Sequence, residues 1–268
     1  MLIHTRIQKI FEAYSLRLKR AIRGIDKRLD HATLHDFRVG FKKHRSFLRL
    51  LSVETGDPGK IEFPDKFRKM NRAIGDIYDE QLCGQRLLKS IGRKSSFPAG
   101  LHIKYKEVKK LILSPNHFEK MLEELNKDMP RKLSDRSIRV FFEGKRKQVG
   151  GITRKRNFTD KELHSIRKLL KDMVNISKLW RDQAIRSRYV FSGNRLKDAI
   201  AVSDALGELN DTSTALSIIR PSIIKDVPLK HQPDLIVARR KWLAEKRALK
   251  KTVVTILTNA QFFRAQAH

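Results

Sequence analysis

The chain has 268 residues, with 59 lysines and arginines against 29 acidic residues, for a formal net charge of +30. Hydrophobic residues make up 40% of it, enough to bury a core, which excludes a disordered basic tail. A charge this high opposes compaction and points to a polyanionic partner: nucleic acid, an anionic membrane surface or polyphosphate.

The chain has one cysteine, Cys83, so it forms no internal disulfide, and we expect a reducing, cytoplasmic environment. No run of about 18 apolar residues occurs, so no membrane span is predicted. The first twenty residues, "MLIHTRIQKIFEAYSLRLKR", are amphipathic and Arg-rich like a transit peptide. They include Glu12, however, and their apolar rhythm continues to Leu29, so we interpret them as the first structural helix.

Apolar residues recur at intervals of three and four through the first half of the chain, which predicts helices. Thr33, in the break "DHAT", is the predicted cap of the second helix, and Pro64 suits the first turn of the third. Pro115 interrupts the fourth. The predicted helices span about 3–29, 33–51, 64–91 and 101–125.

The second half begins with a segment, 128–160, that contains paired glycines and the basic run "FFEGKRKQVGGITRKRNFTD", and we interpret it as an exposed connection. Thr159 or Asp160 is the predicted cap of the helix that follows. Further helices are predicted over about 160–188, 194–219 and 233–263. Strand alternation is nowhere convincing, so the predicted fold class is all-α.

Two segments recur in the same order. "HDFRVGFKK" at position 35 returns as "HSIRKLLKD" at 164, and "AIGDIYD" at 73 returns as "ALGELND" at 205. The offsets, 129 and 132 residues, are nearly equal, which indicates an internal duplication. We therefore predict two pseudo-symmetric four-helix bundles, one in residues 1–130 and the other in residues 131–268.

The repeated helix carries an apolar row and, one residue later, a basic row. In the first copy the apolar row is Leu34, Phe37, Phe41 and Leu48. The first basic row is His35, Arg38, Lys42, Arg45 and Arg49. In the second copy the apolar row is Leu163, Ile166, Leu170, Met173 and Trp180. The second basic row is His164, Arg167, Lys171, Lys178 and Arg181, with Val174 filling the one gap.

A solvated helix face is the simple explanation of such rows. Like charges three or four residues apart, however, cost a helix about 0.2–0.5 kcal/mol per pair. A solvated face would interleave acids, yet Asp36 is the only acid between Asp30 and Glu54, and Asp172 is the only acid between His164 and Asp182. Neither lies on a basic row. Cations about 5 Å apart suit a polymer of phosphates. Such a polymer would also raise the pKa of the histidine that begins each row.

Each "AIGDIYD"-type segment holds a glycine and, four residues later, an aspartate. Gly75 and Gly207 lie within predicted helices, where each costs about 1 kcal/mol relative to alanine. We interpret them as places where helices approach closely. Asp79 and Asp211 are predicted to pair with a nearby arginine or to orient the basic row, because no second carboxylate is spaced for catalysis or metal binding.

Together, the repeated "LHDFRVGFKKHRSFLRLL" and "LHSIRKLLKDMVNISKLW" helices and the "AIGDIYD" and "ALGELND" segments resemble the CHAD family. The resemblance implies paired four-helix bundles that bind inorganic polyphosphate on a basic surface or cavity and associate with polyphosphate granules. It implies these ligands: His35, Arg38, Lys42, Arg45, Arg49, His164, Arg167, Lys168, Lys171 and Lys178. Weaker candidates are Arg17, Arg20, Arg68, Arg72, Arg188 and Arg195.

The chain departs from the family at Tyr78 and Asn210, where members often carry arginine, and at Val174. It lacks the Glu-x-Glu-x-Lys motif of the CYTH domain often fused to CHAD domains, and it has no Walker A, HExxH or Gly-x-Ser-x-Gly motif. We therefore expect a non-catalytic polyphosphate-binding protein that uses no cofactor or metal.

Two alternatives remain at this point. A nucleic-acid-binding protein fits the charge, although the rows contain no aromatic residue that projects with the cations to stack bases, and no recognition-helix motif is present. An enzyme or regulator would use His35 and His164 as metal ligands or phosphoryl acceptors. The absence of grouped Cys, Asp or Glu makes this the least favoured interpretation.

Overall fold

In a computed structural model of the chain, residues 2–57, 60–91, 110, 115–155, 157–182 and 188–259 are described, and they confirm the all-α class. This part of the chain forms nine α-helices, one 3₁₀ turn (Leu229–His231) and one pair of short strands. The helices are α1 (His4–Lys27), α2 (His31–Glu54), α3 (Asp65–Ile91), α4 (Pro115–Lys127), α5 (Asp135–Thr153), α6 (Asp160–Asp182), α7 (Gly193–Ile218), α8 (Pro221–Lys225) and α9 (Gln232–Asn259).

The helices pack in two sets that meet along corresponding members. In the first set α1 packs on α2 and α4, and α2 packs on α3; in the second, α5 and α7 pack on α6, and α9 packs on α7. Between the sets, α2 contacts α6 and α3 contacts α7. The two helices that carry the basic rows are therefore direct neighbours. The duplication, and the division at residues 130 and 131, stay predictions.

Both predicted apolar rows are buried. Leu34, Phe37 and Phe41 on α2 are almost fully inaccessible, as are Leu163, Ile166 and Leu170 on α6. They belong to a large core cluster to which residues of both halves contribute, and a smaller cluster around Trp242 lies where α3, α7 and α9 meet. Because the apolar rows face this core, the basic rows beside them lie along its edge.

The start of α2 differs from its prediction, whereas the start of α6 follows it. The cap of α2 is Asp30, whose carboxylate accepts a hydrogen bond from the backbone N–H of Thr33, so Thr33 is not the cap. At α6, the Thr159 hydroxyl accepts from the Glu162 N–H, and the Glu162 carboxylate accepts from the Thr159 N–H. This reciprocal capping box confirms Thr159 as the predicted cap.

The interpretation of 128–160 as an exposed connection is wrong. Strand β2 (Lys132–Leu133) pairs antiparallel with β1 (Leu2–Ile3), and α5 fills most of the remainder. Apolar residues recur along α5 at helical spacing, and Ile138, Phe142 and Val149 are buried. Arg136, Arg139 and Lys147 are exposed on the other face, whereas Lys145 and Arg146 are half-buried. The density of basic residues therefore hides an ordinary amphipathic helix. The strands, two residues each, are too short to show alternation.

Other predicted boundaries shift. Pro115 begins α4 instead of interrupting a helix, and the prolines near residue 221 accommodate the short α8. Residues 92–109, 111–114, 183–187 and 260–268 lie outside the described part, so the predicted segments that fall there, including the ends near 188 and 263, are not covered. None of the helices described is both long enough and apolar enough to cross a membrane.

The packing of α5 predicts the effect of one truncation. Phe142 is 0% exposed, so Phe142→Ala is expected to destabilise the protein by about 3–5 kcal/mol through lost burial and a residual cavity. Val140, two residues away and 48% exposed, is the control, because Val140→Ala should change stability by only about 0.5 kcal/mol. Chemical unfolding measures both, and equal small effects would contradict the packed helix.

Candidate functional site

The contact between α2 and α6 is built on buried polar side chains. Ser46 of α2 donates a hydrogen bond to Asp172 Oδ1 of α6 at 2.8 Å, and Asn175 Nδ2 of α6 donates to Ser46 Oγ at 3.0 Å. All three side chains are buried. Ser46 and Asn175 occupy equivalent positions in the two repeated helices. The contact therefore joins the same position of the two helices that carry the basic rows.

The two predicted histidines make equivalent contacts. His35 Nδ1 lies 3.2 Å from the Tyr78 hydroxyl of α3, and His164 Nδ1 lies 2.7 Å from Asn210 Oδ1 of α7. Burial lowers the pKa of His164, the Asn210 contact opposes this, and Lys168 and other nearby cations lower it further. Without an anion, His164 therefore favours its neutral form near neutral pH.

Arg38 is the most extensively bound member of the first basic row. Its Nη1 donates to the Gly75 carbonyl and, at 3.0 Å, to Asp79 Oδ1, and its guanidinium lies 4.7 Å from the centroid of the Tyr78 ring. The predicted pairing of Asp79 with an arginine is thus confirmed. The carboxylate therefore holds the arginine against α3.

The role predicted for the two glycines needs correction. A Cβ at Gly75 would lie 3.2 Å from Arg38 Nη1, so this glycine makes room for an arginine side chain and not for another helix. At Gly207 the nearest atom, Arg167 Nε, would be 3.9 Å away, which is an ordinary contact. Only the first glycine is therefore required by a close approach.

Lys42 lies where the two basic rows meet. Burial, followed by the charges of Arg38 and Arg167, lowers its pKa from the ordinary 10.5 to about 7, against a smaller opposing effect of Asp211 and Asp79. Arg167 Nε is buried with no hydrogen-bond partner. We name His35, Arg38, Lys42, His164 and Arg167 the central basic site.

The C-terminal part of the first basic row is neutralised by an acid on another helix. Arg49 Nη1 lies 2.8 Å from Asp172 Oδ2, and Lys145 Nζ of α5 lies 2.9 Å from the same oxygen. Burial would raise the pKa of Asp172, but Lys145 and Arg49 bring it below the usual value, so the carboxylate is ionised. Arg45 stacks over the Phe41 ring at 5.5 Å.

The remaining members of the predicted set are dispersed. Lys171 Nζ lies 3.7 Å from Asp204 Oδ1 of α7, and Lys168 is exposed on α6. Lys178 faces a separate cleft with Lys43, between α1, α2 and α6. Of the ten predicted ligands, five form the central basic site and the other five lie around it.

The weaker candidates lie away from this centre or are already paired. Arg68 binds Glu62 and Asp65, Arg17 lies 3.9 Å from Asp36, and Arg188 donates to the Tyr189 hydroxyl. The others are exposed on α1, α3 and α7: Arg20, Arg72 and Arg195. Within the described ranges, no group of three or more His, Cys, Asp or Glu side chains is arranged to hold a metal ion.

Two comparisons with known proteins both find CHAD domains. A family model described as the CHAD domain matches residues 7–220, so the chain belongs to the CHAD domain family. The crystal structure of the CHAD domain from the plant Ricinus communis is similar, with a TM-score of 0.67 over 92% of this chain and 89% of that one. At 17% identity this likeness shows the fold alone. No curated protein sequence matches the chain.

Sequence reasoning missed three participants in the charge network. Tyr78 was noted only as a departure from the family pattern, yet its ring contacts Arg38 and stacks on His31 at 4.6 Å between centroids. Lys145 lay in the segment interpreted as a connection. Asp172 lies off the basic row of its own helix, and this position lets its carboxylate reach Arg49 on the other helix. Only Lys145 had a sequence signal, the apolar spacing of α5.

The charge on Lys42 predicts a pH-dependent stability. Between its folded pKa of about 7 and its ordinary 10.5, the unfolded chain holds a proton that the folded protein lacks, so this contribution to stability rises with pH across that window. Lys42→Met should therefore be more stable than the wild type at pH 6.5, with an advantage that shrinks toward pH 9.5. Urea unfolding at several pH values measures this difference.

Lys66, exposed on α3, provides the control for this experiment. Lys66→Met should differ from the wild type by the same small amount at every pH. A Lys42→Met difference that is equally flat would show that the lysine carries no buried charge.

Proposed function

We propose that this chain binds inorganic polyphosphate at the central basic site and acts by binding, without catalysis. The observation that carries the proposal is the position of Lys42, held between Arg38 and Arg167 although burial and both guanidiniums oppose its charge. A polyanion would reverse that opposition. The CHAD resemblance implies the same ligand class, together with a cytoplasmic location and association with polyphosphate granules.

The chemistry of the site suits phosphate oxygens. The Arg167 guanidinium and the Lys42 ammonium would both donate to them without reading a base. Arg38, bound to Asp79 and to the Gly75 carbonyl, serves mainly to position the positive charge. A bound phosphate would favour the protonated forms of Lys42 and His164, so binding is expected to take up protons near neutral pH.

The proposal predicts a salt-sensitive interaction that depends on Lys42 and Arg167. Each phosphate neutralised by a cation releases condensed counterions, which on DNA gives a slope of about 0.9 in log K against log salt per contact. Lys42→Ala with Arg167→Ala should weaken binding of long-chain polyphosphate and reduce that slope by about two. Calorimetric titrations at several salt concentrations measure both quantities.

A matched control separates this site from net charge. Lys66 and Lys197 are exposed on α3 and α7, outside the central basic site, and replacing both with alanine removes the same two charges. This control should retain nearly all of the affinity. An equal loss in the two double variants would assign binding to overall charge and refute the site.

Nucleic acid is the second candidate, and one observation favours it more than the sequence did. Tyr78 is an aromatic residue beside the cations of the site, contrary to the expectation that none projects with them. Its ring already contacts Arg38 and His31, however, which leaves less of it for a base. Polyphosphate is expected to displace duplex DNA at equal phosphate concentration and fixed salt; displacement by DNA instead would favour nucleic acid.

A further inference from the structure

A cleft of about 290 Å³ opens between α1, α2 and α6, apart from the central basic site. Its polar lining consists of four cations, one hydroxyl and one carboxylate, besides the Asn175 amide engaged with Ser46. These side chains are Lys9, Tyr14, Arg17, Lys43, Lys178 and Asp182. The cleft is thus strongly positive, with residues from three helices that the core holds in place.

The lysines at its centre form no ion pair with the one carboxylate of the cleft, Asp182. Among the described residues, neither Lys43 nor Lys178 forms a hydrogen bond or ion pair. Burial lowers the pKa of Lys43, and Arg17 and Lys178 lower it further, while Asp182 opposes them. Asp182 already accepts hydrogen bonds from Arg181, at 3.0 and 3.1 Å. The cleft therefore concentrates positive charge at a cost to the folded state.

The repeated segments show how such a position can be neutralised. Lys43 ends "HDFRVGFKK", and the residue at the same place in "HSIRKLLKD" is Asp172. Likewise, Lys178 stands where the first segment has Arg49. Asp172 and Arg49 form an ion pair at 2.8 Å, whereas Lys43 and Lys178 at the corresponding places repel each other. One residue decides whether the charge is balanced internally or needs an anion.

The donors around the cleft match a tetrahedral anion. Burial raises the pKa of Tyr14 to about 12, so its hydroxyl remains a hydrogen-bond donor over the physiological range. Two ammonium groups and the Arg17 guanidinium supply charge-assisted hydrogen bonds to phosphate oxygens. The volume of about 290 Å³ is room for a short inorganic anion.

We propose that this cleft is a second anion site, which takes a short inorganic phosphate such as pyrophosphate independently of the central basic site. Lys43 and Lys178 hold the anion, with Arg17 and the Tyr14 hydroxyl as further donors. Lys178, which the family resemblance places among the polyphosphate ligands, belongs to this cleft instead. The site stands whether or not long polyphosphate binds at the central basic site, because the two share none of these residues.

Isothermal titration with inorganic pyrophosphate tests the proposal. The wild type should bind saturably, and Lys43→Ala with Lys178→Ala should lose at least tenfold in affinity. Lys42→Ala with Arg167→Ala, and the control Lys66→Ala with Lys197→Ala, should stay within about twofold of the wild type. Absence of saturable binding to the wild type, or an equal loss in all three double variants, would overturn the second site.

Lys43→Asp provides a second variant that tests folding and binding together. It restores at this position the acid that the other segment carries at 172, so the Tm in phosphate-free buffer should rise while pyrophosphate binding is lost. A lower Tm with unchanged pyrophosphate binding would overturn the proposal. Long-chain polyphosphate affinity, measured on the Lys43 and Lys178 variants alone, should stay within threefold of the wild type. That readout follows the central basic site and separates a failure of one site from a failure of the other.

Discussion

The buried carboxylate of Asp172 is the interaction on which the arrangement of the basic helices depends. A carboxylate removed from water costs several kcal/mol unless it is paired and hydrogen-bonded. Asp172 accepts from the Ser46 hydroxyl, from Arg49 and from Lys145, so one acid joins α2, α5 and α6. Without it, the two helices that carry the basic rows would meet with like charges at their contact. Its ionised state is thus part of the fold.

Charge is neutralised at some points of the basic rows and left unbalanced at others. Asp79 holds Arg38, and Asp172 holds Arg49, whereas Lys42 and Lys43 lie near arginines that disfavour their charged forms. Stability alone would favour replacing such lysines with apolar or acidic residues. Under the proposed function these groups belong to a binding surface, because bound anions would offset their mutual repulsion.

Much of the fold was predictable because it follows from spacing along one helix. The apolar rows of α2 and α6 and the capping box at Thr159 depend only on residues three or four positions apart. Helix α5 carries the same signal through Phe141 and Val149, but the density of lysine and arginine around it suggested a connection. The prediction for this segment followed its composition instead of its periodicity, and it was wrong.

The charge network could not be predicted in the same way, because its partners come from different helices. Spacing places Arg38 and Arg49 on one row and Lys171 on the other, yet it contains no information on which acid each will face. Asp79 is on α3, Asp172 on α6 and Asp204 on α7. The absence of acids between neighbouring cations therefore overstated the free charge of the rows. The central basic site is the part of them that these acids leave incompletely neutralised.

The state of Lys42 connects anion binding to pH. With a pKa of about 7, its charge is only partly present at neutral pH, so a ligand that needs the ammonium must also supply the free energy of protonation. Linkage requires the converse: acidification that charges Lys42 strengthens the attraction for an anion by the same free energy. A phosphate polymer meets this requirement better than an isolated phosphate does, because several of its charges act on Lys42, Arg167 and His164 together. The ligand of the proposed function is therefore one whose charges are linked, and its binding should depend on the length of the chain as well as on the pH.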